Sequence, residues 1–200
     1  MRLSKVLWLL PALALSSLSQ AEEKPFYLGL GYSFAELESD KALPSYFTSG
    51  QSFSEDTNSI DLYAGYQFSS YFSIELNYNT YDQARKRYDI DPTVDFITAP
   101  NDLEELEVDT LSLNSVLSYP IAENLKVLAL AGFIYADIDN YWFGGEAPSI
   151  SHSDSETGFT YGVGASYAFT ERFSGKLQWK TIDIDNLELE GLHLSVETRF

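Results

Sequence analysis

Bulky apolar residues recur at every second position along much of this chain, with small or polar residues between them. From Phe26 to Phe34 one face carries Phe26, Leu28, Leu30, Tyr32 and Phe34, and the other carries Tyr27, Gly29, Gly31 and Ser33. Period two is the signature of a strand with two different faces. Eight segments share it: Phe26 to Phe34, Ile60 to Phe68, Phe72 to Thr80, Leu111 to Tyr119, Leu125 to Tyr135, Phe159 to Phe169, Phe173 to Thr181 and Leu192 to Phe200. Each is nine to eleven residues long, the length a tilted strand needs to cross a bilayer. Short turns at Ser69 to Tyr71, Pro120 to Asn124 and Thr170 to Arg172 alternate with long polar stretches at 35–59, 81–110 and 136–158, and a shorter one at 182–191. That alternation predicts an all-β, eight-stranded antiparallel up-and-down transmembrane β-barrel, with short turns at one end and long loops at the other.

Size decides which face points outward. The interior of an eight-stranded barrel is just wide enough for modest side chains, so the bulky face must meet lipid. Threading the strands up and down then gathers Phe26, Phe68, Phe72, Tyr119, Phe169, Phe173 and Phe200 at the short-turn end. Phe34, Tyr78, Tyr135, Phe159 and Trp179 fall near the other end. Two aromatic girdles are what lipid-facing barrels carry at their interfaces, whereas a soluble barrel would expose this aromatic face to water. The fifth strand departs from the pattern, because Leu128, Leu130 and Ile134 make its inner face apolar too.

Residues 1–21 read as a secretory signal: Arg2 and Lys5 at a basic start, Val6 to Leu15 apolar, and Ser19-Gln20-Ala21 as a small-x-small cleavage site. The mature barrel is then 22–200. A spanning helix needs about 20 apolar residues, and the longest later run, Val127 to Ala136, is interrupted by Gly132, so strands must do the spanning. The absence of cysteine excludes disulfides and thiol chemistry. The formal charge of −18 becomes −20 once Arg2 and Lys5 leave with the signal, which argues against nucleic acid as a partner.

Gly65-Tyr66-Gln67-Phe68, a short turn and Ser73-Ile74-Glu75-Leu76-Asn77-Tyr78 resemble the second-to-third-strand hairpin of the outer membrane protein A-like barrel family. Lys176-Leu177-Gln178-Trp179 is similar to that family's seventh strand, and Glu197-Thr198-Arg199-Phe200 to the terminal signature of outer-membrane barrels. The resemblance covers the whole mature chain, and the periplasmic peptidoglycan-binding domain has no counterpart in it. It implies that Phe200 is read by the barrel-assembly machinery during biogenesis. It also implies an interior ionic gate, with its acid at Glu75 and its base at Lys176. Where that gate has a second acid on the sixth strand this chain has Ser166, and only Ser112 and Asn114 lie inside the fourth.

The inner face carries Asp61, Glu75, Lys176, Lys180, His193, Glu197 and Arg199. Burying such charges is costly unless they pair. Glu75 and Lys176 each sit three residues above the short-turn end, on opposite walls, and Glu197 lies at that height beside Lys176, so the expectation is a lumen pair or triad of Glu75, Lys176 and Glu197. His193, Ser195 and Glu197 share one face of the last strand, yet residues two apart lie roughly 7 Å apart, too far for a nucleophile and base to touch, and no catalytic residue is expected. His152 stands alone in an acidic loop without metal-ligand spacing, and neither metal nor cofactor is expected. Arg85, Lys86 and Arg87 follow the third strand at its surface end and are candidates for contact with lipopolysaccharide phosphates. The acidic stretches Asp102 to Glu107 and Asp183 to Glu190 read as surface loops serving solubility and repulsion.

Together these features point to a monomeric barrel of the bacterial outer membrane, reached through the periplasm, that contacts outer-membrane lipid and lipopolysaccharide and takes any extracellular ligand through the loops 35–59, 81–110 and 136–158. The expected role is structural or surface-interacting. A narrow gated, porin-like pore for small solutes or ions is the alternative. A lipid-modifying enzyme would need a catalytic set on the lipid face, where the sequence supplies none.

Overall fold

The computed structural model describes residues 25–39, 53–87, 103–143, 150–185 and 187–200. Nine strand segments follow in chain order: β1 (Phe26–Ser39), β2 (Phe53–Ser69), β3 (Phe72–Tyr81), β4 (Ala84–Arg87), β5 (Leu103–Pro120), β6 (Leu125–Phe143), β7 (Ile150–Ala168), β8 (Phe173–Ile184) and β9 (Leu187–Arg199). β3 and β4 lie along the same side of β5, Thr80 opposite Asp109 and Ala84 opposite Leu106, so they form one stave interrupted at Asp82 and Gln83. Every stave pairs antiparallel with its neighbours, and β1 closes the sheet against β9. The result is the closed eight-stranded antiparallel barrel that the pattern predicts. At the seam the Phe200 N–H donates to Phe26 O at 3.0 Å, and on the other side of β9 the Arg199 N–H donates to Arg172 O, in the turn before β8, at 2.9 Å. Closure leaves no unpaired edge in the membrane band, which lipid would not tolerate.

In that band the faces fall as size requires. Leu30, Phe133 and Val163 are more than 60% exposed on the outer wall, and Tyr27, Tyr63 and Glu75 are buried inside. The lumen is so narrow that large side chains face glycines: the Tyr63 ring lies over Gly29 and the Tyr27 ring over Gly65, each where a Cβ would have to be. The apolar inner face of β6 is accommodated in the same way. Leu128 and Leu130 stand opposite Gly164 and Gly162 of β7 and pack with Val116.

The strands run well past the expected boundaries at the end opposite the short turns. Much of 35–59, 81–110 and 136–158, read as loop, is strand: β1 continues to Ser39, β2 begins at Phe53, β5 at Leu103 and β7 at Ile150, and β6 runs to Phe143. The stretch 182–191 is not a loop either, because Ile184 pairs with Leu187 across a two-residue connection. The acidic residues of 103–107 and 183–190 therefore sit largely on strands, and so does His152, opposite Asn140 on β6. The cause is an inversion of polarity at constant register. Beyond Phe34, β1 reads Ala35, Leu37 inward and Glu36, Glu38 outward, the reverse of its lower half. β9 does the same with Leu187 and Leu189 inside, Glu188 and Glu190 outside. The inward residues form the larger apolar cluster among the described residues, including Leu37, Leu106, Val108, Ile138, Ile182 and Leu189. The remaining connections, 40–52, 88–102 and 144–149, and the expected signal, 1–21, lie outside the described residues.

Candidate functional site

Three layers of side chains fill the lumen. The lowest is centred on Lys176 of β8, whose Nζ lies 2.5 Å from Glu75 Oε1 on β3 and 2.9 Å from Glu197 Oε2 on β9. The amine also sits over two aromatic faces, 4.9 Å from the Tyr27 centroid and 4.6 Å from that of Tyr63, positions in which ring quadrupoles add to the attraction. The Tyr27 hydroxyl donates to Glu75 Oε1 at 2.8 Å and Ser174 Oγ to Glu197 Oε1 at 3.0 Å. Arg199 completes the layer, its Nη2 2.8 Å from Glu197 Oε1 and its Nη1 donating to Gln67. Two cations thus meet two carboxylates in a water-poor space, and each carboxylate has at least two donors, which a buried ion pair needs in order to offset its desolvation. The structure brings Glu75, Lys176 and Glu197 together, although Glu197 stands opposite Ser174 rather than Lys176. Tyr27, Tyr63, Gln67 and Ser174 were not singled out from the sequence. The signal for the tyrosines was an inward aromatic on a strand whose neighbour offers glycine at the same level.

The second layer is held by Asp61 of β2. Its Oδ2 accepts from Ser33 Oγ at 2.6 Å and lies 2.9 Å from His193 Nδ1, and its Oδ1 accepts from Ser59 Oγ at 2.7 Å. Ser33 Oγ also touches His193 Nδ1. A serine, a histidine and an aspartate are therefore in contact, but serine and aspartate share one ring nitrogen, whereas proton relay needs them on opposite nitrogens. All three are at most 3% exposed, which leaves no room for a substrate. The set sequence reasoning had considered does not assemble: Ser195 Oγ lies 3.1 Å from the Tyr63 hydroxyl, and Glu197 belongs to the layer below. Lys180, flanked by Gly162 and Gly191, stands in the same region of the lumen. Amide atoms of Asn77 and Asn79 on β3, Asn114 on β5 and Gln178 on β8 are buried without a protein partner among the described residues.

The third layer is the apolar cluster, which closes the barrel above the polar lumen. Among the described residues no three His, Cys, Asp or Glu side chains converge as a metal ion would require.

On the outside, Arg85 of β4 has its Nε 2.8 Å from Glu105 Oε1 and its Nη2 2.8 Å from Gln83 Oε1. Lys86 and Arg87 continue the strand opposite Glu104 and Leu103. The acidic positions form ladders across the outer wall: Glu36 stands opposite both Asp56 and Glu190, Asp109 opposite Asp137, and Glu107 opposite Asp139. Trp179 Nε1 donates to Glu190 Oε1 at 2.6 Å, tying the upper girdle to the acidic belt.

Comparison with known proteins places this geometry. A family model described as outer membrane protein beta-barrel domain matches residues 6–200. The fold is similar to Ail, the attachment invasion locus protein of Yersinia pestis, at 16% identity and TM-score 0.55, over 89% of this chain and 100% of that one. It is also similar to Neisserial surface protein A (14%, TM-score 0.61, 88% and 97%) and to the N-terminal barrel domain of Pseudomonas aeruginosa OprF (16%, TM-score 0.51, 86% and 97%). No curated protein matches the sequence.

Proposed function

Since the chain belongs to the outer membrane protein beta-barrel domain family, and so to the bacterial outer membrane, we propose that it is a closed, monomeric barrel whose work is done on its outer surface and not through its lumen. The observation that carries this reading is the double closure of the lumen. The ionic layer at Glu75, Lys176 and Glu197 crosses it low down, and the apolar cluster fills it above. An ion crossing the barrel would have to displace the first and shed its hydration in the second. The neighbouring structure of Ail in complex with the heparin analogue sucrose octasulfate shows a polyanion on a barrel of this fold. The acidic ladders of the present chain repel such a ligand and favour a cationic partner. Lipopolysaccharide phosphate at Arg85, Lys86 and Arg87 is the complementary contact, made in competition with Glu105. Phe200, seated at the seam, is the residue we assign to recognition by the assembly machinery.

Single-channel recording in planar bilayers tests the reading: wild type should give no steady openings. The gated pore is the second reading, favoured by the polar middle of the lumen with its unpartnered amides. Steady wild-type openings that Lys176→Ala makes more frequent would establish it.

A further inference from the structure

Above the membrane band the wall is no longer closed. β7 pairs with β6 without interruption from Trp142 opposite Ile150 down to Leu125 opposite Tyr167. Its pairing with β8 begins only at Gly158, opposite Ile184, where β8 turns into β9. Ile150 to Thr157 therefore have one paired side and one side that no described strand occupies. At about 3.4 Å per residue this is an edge of roughly 25 Å. It is held rigid from behind, since Asp137 to Trp142 of β6 pair with β5 on one side and with Ser155 to Ile150 on the other. Ser151 to Ser155 are exposed, and no proline, lysine or bulge interrupts the edge, the devices by which such edges are normally blocked.

We infer that this edge of β7 is a docking site for an extended segment of a basic partner, which would add to the sheet as a further strand. The inference rests on the outward-working barrel proposed above and names the partner's chemistry. A row of unpaired backbone groups supplies affinity for any extended chain, and charge selects among chains. Asp154 and Glu156 lie on the edge strand, on the face they share with Ala136 and Ile138 of β6. Asp137 and Asp139 stand beside it on the other face of β6, and Asp183 and Asp185 lie at its foot, so either face of an added strand meets carboxylates. A second copy of β7 would set like charges opposite one another, which is unfavourable. A segment alternating lysine or arginine with small or β-branched residues would set opposite charges there, and would strengthen β-pairing at the same time.

The test uses the folded barrel in zwitterionic nanodiscs and a synthetic peptide of alternating lysine and valine, with binding followed by fluorescence anisotropy. Saturable binding is expected, weakened about tenfold by the double change Asp154→Lys with Glu156→Lys, and unaffected by Asp56→Lys on β2, four staves away on the opposite wall of the barrel. Peptides N-methylated at alternate residues separate pairing from plain charge attraction. One methylation phase should abolish binding and the other should preserve it, because only one set of N–H groups faces β7. Equal binding of both phases, equal loss in Asp56→Lys, or self-association of the wild type through this edge would overturn the inference. Because lumen conductance is read separately, failure of the edge is distinguishable from failure of the closed barrel.

Discussion

The lower and upper halves of this barrel are built on the same staves with the same register, yet their faces carry opposite chemistry. Below, Leu28, Leu30, Tyr32 and Phe34 of β1 face outward and Gly29, Gly31 and Ser33 inward. Above, Glu36 and Glu38 face outward while Ala35 and Leu37 are buried. The crossover follows from the solvent around the wall. In lipid the outer face must be apolar and a polar interior is tolerated if its groups pair. In water the same sheet must hide its apolar residues, and the only place to hide them is the lumen. The lower half is held by lipid outside and ion pairs inside, and the upper half by a small hydrophobic core. The acidic ladders weigh against the upper half, since like charges directly opposite one another destabilise a pair of strands.

The two halves should therefore fail in different ways. The largest effect is expected from Lys176→Ala, which leaves Glu75 and Glu197 buried without their shared cation. A loss of about 3–5 kcal/mol should appear in urea unfolding from lipid vesicles, with part of it recovered when Glu75→Gln is added, because coupled sites are not additive. Next is the outer face. Leu30→Lys, midway up the membrane band, should cost about 2–4 kcal/mol. Third, Leu37→Ala in the upper core should cost about 2 kcal/mol, at the low end for such truncations because a barrel mouth can relax into the space. It should also raise proteolysis of the upper strands without unfolding the lower ones. The smallest effect is the sharpest contrast: Glu36→Lys, only six residues beyond Leu30 on the same face, should change stability by no more than about 0.5 kcal/mol. It should be slightly stabilising at low salt, where it relieves repulsion from Asp56 and Glu190. A large loss in Glu36→Lys would mean that lipid reaches that height and that the two halves are not distinct.

How much of this was legible in the sequence divides along the same line. The membrane band could be read because lipid and a narrow lumen impose one rule, large out and small in, on every stave. Counting inward from the turns was then enough to set Glu75, Lys176 and Glu197 at one level. The upper band obeys the reverse rule. Leu187-Glu188-Leu189-Glu190 has a period as strict as any membrane strand, but a search for an apolar outer face reads its charges as a solvated loop. The contact of Ser33 with Asp61 and His193 was hidden for another reason. It depends on the pairing of β1 with both β2 and β9, which places Ser33 opposite Ser59 and His193, and no local pattern carries that register.

The inversion can be measured directly because the chain has no cysteine of its own. Single-cysteine variants from Leu28 to Glu38 along β1, each carrying a nitroxide label in lipid bilayers, report collision with oxygen in the lipid phase and with a nickel chelate in water. Leu28, Leu30, Tyr32 and Phe34 should favour oxygen, Glu36 and Glu38 should favour the chelate, and Ala35 and Leu37 should be shielded from both. Strong chelate access at Leu37, or oxygen preference continuing through Glu36 and Glu38, would contradict a strand that leaves the membrane with its apolar face turned inward.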